Sequence, residues 1–134
     1  MAERLAFEIA TPERLVLEVE ADEVVLPSVE GSMGVLPGHA PLLAALDVGE
    51  VSYRNGKERK HFAVSGGFAE VVRDGVRVLA DTCEAADEID VERAEKARSR
   101  AEERLRSQQA EIDFARAGAA LNRALCRIRV AGEK

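Results

Sequence analysis

The stretch VRVLADTCEAADEIDVERAEKARSRA, residues Val76–Ala101, decides the fold, because two periodicities meet inside it. At its start Val76 and Val78 alternate with their neighbours, the spacing of a half-buried strand. Past Glu84 the spacing changes: Val91, Ala94, Ala97 (or Arg98), Ala101 and then Leu105 recur three or four apart, which is one stripe of a helix. Glycine and proline nearly vanish at the same point, and alanine and arginine take over. Asp87 and Asp90 both offer a short carboxylate able to cap the first turn.

Upstream, period two continues back to Arg4. Leu5, Phe7 and Ile9 alternate, then Leu15, Leu17 and Val19, then Val51 and Tyr53, then Phe62 and Val64. Asn55-Gly56 and Asp74-Gly75 sit between such runs, and each predicts a tight type I′ hairpin turn. Gly31, Gly34, Pro37-Gly38 and Gly66-Gly67 are read as further turns. Short strands with a turn about every ten residues predict an antiparallel sandwich or barrel. Downstream, Ser107-Gln108-Gln109 breaks the first helix. A second stripe follows at Ala117, Ala120, Leu121, Ala124, Leu125 and Ile128, with Asp113 as its cap. Two helices and a short break predict an antiparallel helical hairpin. The boundary is therefore expected between a domain at 1–86 and a domain at 87–134.

Composition narrows the function classes. With 46% hydrophobic residues the chain can bury a core, and with 4% aromatics and no Trp that core is aliphatic. The N-terminus, Met1-Ala2-Glu3-Arg4-Leu5, lacks a basic region followed by an apolar run, so no secretory leader is expected. No apolar run is long enough to span a bilayer, so no direct membrane insertion is expected. Residues 1–87 carry 16 acidic and 8 basic side chains, whereas residues 88–134 carry 9 and 11. That tail suits an acidic surface or a phosphate, but its mixed sign excludes a nucleic-acid arm. Cys83 and Cys126 form no CxxC, so two free, small apolar thiols are the expected reading, with one long-range disulfide as the alternative.

No catalytic constellation is present. His61 falls on the polar phase of a strand and reads as an exposed strand residue. His39 lies in the loop Pro37-Gly38-His39-Ala40-Pro41, with no ligand at metal spacing nearby. The glycines around Ser32 lack the Gly-Lys-Ser/Thr of a phosphate-binding loop. The arginines offer more. Arg93 and Arg100 lie seven apart on the first helix, and Arg123 and Arg127 four apart on the second. Folded together, the pairs either converge as a phosphate site or remain a solvated basic face. The first stripe is almost all alanine, which buries little area at about 25 cal/mol per Å², so the hairpin is expected to dock weakly. Gly118 weakens the second helix by about 1 kcal/mol relative to alanine. Such a hairpin serves equally as a switching element or as one held down by the sheet or a partner.

Three motifs now stand in order: Glu30-Gly31-Ser32-Met33-Gly34-Val35-Leu36-Pro37-Gly38-His39-Ala40-Pro41-Leu42-Leu43, then Ala63-Val64-Ser65-Gly66-Gly67-Phe68-Ala69-Glu70-Val71, then Ile89-Asp90-Val91-Glu92-Arg93-Ala94. Together they resemble the epsilon subunits of bacterial F-type ATP synthases from end to end. The resemblance implies a β-sandwich of about ten antiparallel strands followed by a C-terminal α-helical hairpin. It implies a non-catalytic rotor subunit, peripheral on the cytoplasmic face of the bacterial inner membrane, with no cofactor required. The sandwich would contact the gamma subunit and the ring of c-subunits, the latter through the loop bearing Glu30, Ser32 and His39. Many relatives carry an acidic residue where this chain has Ser32. The hairpin would either fold on the sandwich or extend into the alpha/beta catalytic head and restrain ATP hydrolysis. The resemblance also implies ATP as a regulatory ligand, held at Glu84, Ile89, Asp90, Arg93, Ala94, Arg100, Arg123 and Arg127. Arg123 and Arg127, with Arg100, would neutralise phosphates, and Asp90 and Glu84 would accept hydrogen bonds from base or ribose. The alternative reading is a free-standing ATP sensor with the sandwich as its platform.

Overall fold

The computed structural model describes residues 3–107 and 113–133. Eight strands come first: β1 Leu5–Ala10, β2 Leu15–Ala21, β3 Glu23–Ser28, β4 Gly31–Val35, β5 Leu42–Asn55, β6 Glu58–Val72, β7 Gly75–Ala80 and β8 Cys83–Ala85. A single 3-10 turn, Ala86–Glu88, leads to helices α1 Val91–Arg106 and α2 Phe114–Ala131. The ladder runs β2-β1-β7-β6-β5-β3-β4, with β8 added to β6. Every pairing is antiparallel except that of β1 with β7, which is parallel.

The sheet folds over on itself. Phe7 on β1 and Tyr53 on β5 are not ladder neighbours, yet their ring centroids are 5.6 Å apart, and Tyr53 stacks on Phe62 at 6.2 Å. The expected alternations supply the core between the layers: Leu5, Phe7, Ile9, Val51, Val64 and Val78 are fully or almost fully buried. Leu15 departs from this and is 52% exposed, because β2 is the terminal strand of the ladder.

The turn chemistry differs from the sequence expectation in four places. Asn55 pairs with Glu58, so the β5–β6 loop is Gly56-Lys57. Only Gly56 has positive φ, +66°, which is the glycine-first pattern of a type II′ rather than a type I′ turn. Val72 pairs with Gly75, so the β6–β7 loop is Arg73-Asp74, and neither residue has positive φ. Gly75 instead lies in a tight approach between strands, since a Cβ there would stand 3.1 Å from the Ala6 carbonyl oxygen of the parallel strand. Gly66-Gly67 lie within β6, with Gly67 paired to Ala80 of β7 at the corner where β6 leaves β8, and Gly34 lies within β4.

The helices start where the short carboxylates stand. Asp90 caps α1, its Oδ1 accepting from Arg93 N–H at 3.0 Å, and Asp113 caps α2 through Arg116 N–H at 3.0 Å. Asp87, the other candidate cap, lies in the 3-10 turn. The break expected at Ser107-Gln108-Gln109 begins at Ser107, and Gln108 and Gln109 lie outside the described residues.

Helix α2 uses two faces. Ala117 and Ala124 meet α1, whose Ala94 and Ala101 are likewise buried. Cys126 and Val130, about half a turn round, face the sheet. A single-stripe reading misses the second face, which is why Leu125 is 41% exposed although it belongs to the expected stripe. Val91, in the first turn of α1, is 40% exposed although it opens the expected stripe. Gly118 faces open space. The hairpin's hold on the sandwich is a second, small core: Ala63, Ala86, Ile89, Cys126, Val130 and Ala131, with Val48 against it. It is separate from the sandwich core.

This division makes the two thiols different reporters. Both are free and buried. Burial pushes Cys83 up to about 12, and burial also raises Cys126, so neither presents a thiolate at neutral pH. Cys83 sits in the sandwich core and opens only with it. Cys126 opens when the hairpin lifts, which is a smaller event. In native protein, a disulfide reagent such as DTNB should therefore modify Cys126 at least about tenfold faster than Cys83, measured on the two single-serine variants. Equal rates would mean that hairpin and sandwich open as one unit.

Candidate functional site

Where β8, the 3-10 turn and both helices meet, the hairpin closes a cavity of about 380 Å³ over the sandwich. It is lined by Thr82, Glu84, Asp90, Arg93, Ala94, Ala97, Arg100 and Arg127. Each side chain arrives for a local reason. Asp90 is fixed as the cap of α1. Arg93, Ala94, Ala97 and Arg100 follow at three- and four-residue spacing, so they share one face of that helix. Arg127 reaches over from α2, and its Nε donates to Glu84 Oε1 at 2.5 Å. This charge-assisted bond is half-exposed and ties α2 to β8.

Six of the eight expected ligand positions are thus brought together: Glu84, Asp90, Arg93, Ala94, Arg100 and Arg127. Arg123 lines a neighbouring crevice that Arg127 and Thr82 share. Ile89 is 6% exposed and belongs to the second core, so its side chain anchors the hairpin instead of lining the cavity. Thr82 and Ala97 complete the lining. Ala97 follows from the helix spacing that selects Arg93 and Arg100, whereas Thr82 has no signal in sequence, because only the β6–β8 pairing brings its loop under α1.

The charges suit an anion. Three guanidiniums face two carboxylates in the cavity, and Asp90, Arg93 and Arg100 also border an adjoining cleft of about 460 Å³ that adds Lys96 and Glu92. A larger open groove, about 680 Å³, runs along β1, β2 and β7, but it carries Glu8, Glu18, Glu20, Glu70 and Asp74 against Arg77. A polyphosphate would be repelled there.

The other expected contact residues lie at the far end of the β3–β4 and β4–β5 connections. Glu30 is exposed in the β3–β4 turn, and Ser32 is exposed on β4 opposite Pro27. His39 is half-exposed, its Nδ1 2.7 Å from the Ala40 carbonyl oxygen. The loop is held to the sandwich by Gly38 N–H, which donates to the Arg73 carbonyl at 2.7 Å. Val29 and Leu36 stand beside these residues with more than half of their surface exposed. No helix among the described residues is long and apolar enough to cross a membrane.

Two family models match the chain end to end. Residues 4–86 match the ATP synthase delta/epsilon chain beta-sandwich domain, and residues 87–132 match the long alpha-helix domain of the same chain. The ATP synthase epsilon chain of Nitratidesulfovibrio vulgaris is 49% identical over 132 residues, covering 98% of each chain. That of Syntrophobacter fumaroxidans is 50% identical over 131 residues, again covering 98% of each. A chain in the cryo-EM structure of the Euglena gracilis mitochondrial ATP synthase, OSCP/F1/c-ring in rotational state 1, superposes with a TM-score of 0.84 at 22% identity. The match covers 98% of this chain and 82% of that one, and it bears on the fold alone. Sandwich, hairpin and the motifs that join them all agree: this chain belongs to the ATP synthase delta/epsilon chain family.

Proposed function

We propose that the chain is a central-stalk rotor subunit of a proton-translocating F-type ATP synthase, without catalytic activity of its own. Residues 1–86 form the contact domain and residues 87–134 the regulatory domain. Within that complex the subunit sits peripherally, on the cytoplasmic face of a bacterial inner membrane. The observation that carries this reading is the division of the apolar interior into two. A sandwich core of Leu5, Phe7, Ile9, Val51 and their neighbours is complete without the helices. The hairpin is held by a second core whose members are mostly alanine and cysteine. Burial of so little area leaves the docked and released states close in free energy, so modest differential contacts can choose between them. Released, the arginine-bearing hairpin meets the alpha/beta head and restrains hydrolysis. Docked, it frees the head. ATP favours docking because its phosphates answer Arg100 and Arg127, which come from different helices.

Two surfaces support the stalk contacts. On the outer face of the sheet Phe68 pairs with Leu79, and Leu43 stands opposite Glu70. All three apolar side chains are more than half exposed. An apolar strip of this kind fits a protein partner, the gamma subunit. The loop with Glu30, Ser32 and His39, flanked by Val29 and Leu36, faces the c-ring.

Co-expression with the gamma subunit of the same source tests this reading. The expected result is a stable complex that Phe68→Asp dissociates while the isolated variant keeps its fold. A chain that elutes alone and still binds ATP would instead be a free-standing ATP sensor.

A further inference from the structure

The C-terminal end of α2 meets the sandwich at a cluster that neither the nucleotide cavity nor the stalk contacts use. Glu50 lies on β5 opposite Ala63, and His61 lies on β6 opposite Ser52, so the two are diagonal neighbours on the face turned toward α2. The His61 Nδ1 is 3.0 Å from Glu50 Oε1, and the imidazole is 13% exposed. His61 is therefore not the exposed strand residue its phase predicts. From the other side comes Glu133, in the turn after α2, where its N–H donates to the Val130 carbonyl at 2.9 Å. One ligand atom from each of the three lies within 4.8 Å of the others.

We propose that Glu50, His61 and Glu133 form a site for a borderline divalent cation of the zinc type, which latches the hairpin's end to the sandwich. One imidazole nitrogen and two carboxylate oxygens are a familiar three-ligand set for Zn²⁺, with water completing a tetrahedron. Bonds of about 2.0–2.2 Å put the ligands of one such ion roughly 3.4 Å apart. His61 and Glu50 already approach that spacing, and the exposed Glu133 side chain has room to close the remainder. Calcium and magnesium fit poorly, since both are hard cations that take oxygen ligands and one of the three ligands here is an imidazole nitrogen. A cation also relieves the repulsion between two carboxylates gathered at one imidazole. The sandwich supplies two ligands and the hairpin the third, so the ion binds the docked state more tightly than the released one and shifts the balance toward docking. This latch works without nucleotide.

The test is a nucleotide-free titration of the full chain with Zn²⁺ by calorimetry, alongside hydrogen exchange of α2. The expected result is one saturable equivalent, weakened at least about tenfold by His61→Gln and by Glu133→Gln. Zn²⁺ should slow exchange at Cys126–Ala131 in the parent chain and leave Glu133→Gln unchanged. Glu133 is exposed at the end of the described chain, so that variant keeps its fold. Absence of saturable binding below about 100 μM, far weaker than structural zinc sites, would overturn the proposal. So would binding that either substitution leaves intact, since the ion would then lie elsewhere or would not bridge to the hairpin.

Discussion

Gly67→Ala is expected to unfold the sandwich or leave it barely stable. Gly67 has φ of +124°, a region that L-residues rarely adopt. An added Cβ would stand 2.1 Å from the Leu79 carbonyl oxygen and 2.8 Å from the Ala80 Cα. Both atoms are backbone of β7, so neither can rotate away. Relief requires breaking the β6–β7 ladder at the corner that turns one layer into the next. Backbone strain and overpacking together cost on the order of 4 kcal/mol, a large part of a typical domain's roughly 5–15 kcal/mol. Gly66→Ala is the instructive comparison. Its φ of +118° is also strained, but the nearest atom is Asp81 Oδ2 at 3.1 Å, on a side chain that can move. Urea denaturation should therefore show a large fall in midpoint for Gly67→Ala and a distinctly smaller one for Gly66→Ala. Equal midpoints would mean that the corner is not closed as described.

Removal of residues 88–134 should have an equally large effect on function and little on the sandwich. The sandwich core ends at Cys83, with Ala85 packed on its edge, so the deletion takes nothing from it. The deletion removes Ile89, Cys126, Val130 and Ala131 from the second core and bares mainly Ala63 and Val48. Truncated protein should fold, bind gamma and assemble. ATP hydrolysis by the assembled complex should then rise in proportion to how often the brake was engaged: about tenfold if nine complexes in ten were restrained. Hydrolysis assays on complexes carrying either form measure the ratio. A ratio of one would remove the inhibitory role.

The fold was legible wherever one residue's environment follows from its neighbours along the chain. The change of period after Glu84, the caps at Asp90 and Asp113, and the inward faces of β1, β5, β6 and β7 all read directly. What escaped depends on contacts distant in sequence. Gly66-Gly67 looks like a turn because glycine pairs usually are, and only the crossing of β6 from β8 to β7 makes it a corner inside one strand. The second face of α2 escaped because Cys126 and Val130 contribute too few positions to register beside the alanine stripe. The runs Val51-Ser52-Tyr53 and Phe62-Ala63-Val64 carried the missing hint: all six are buried, as strands covered on both faces must be. The arginines of the junction were legible as types and spacings, but the packing of the Ile89 side chain into the second core and the offset of Arg123 needed the packed hairpin.

The most direct measurement is an ATP titration of the full chain followed by amide NMR, repeated on Arg100→Ala and Arg127→Ala. Charge-assisted hydrogen bonds contribute about 1.5–3 kcal/mol each, so each variant should bind at least about tenfold more weakly. The expected result in the parent chain is saturable shifts confined to Thr82, Glu84 and residues 86–133, with the outer sheet face unmoved. Shifts that both variants retain in full, or none at millimolar ATP, would contradict a nucleotide-read hairpin and leave its position to be set by the catalytic head.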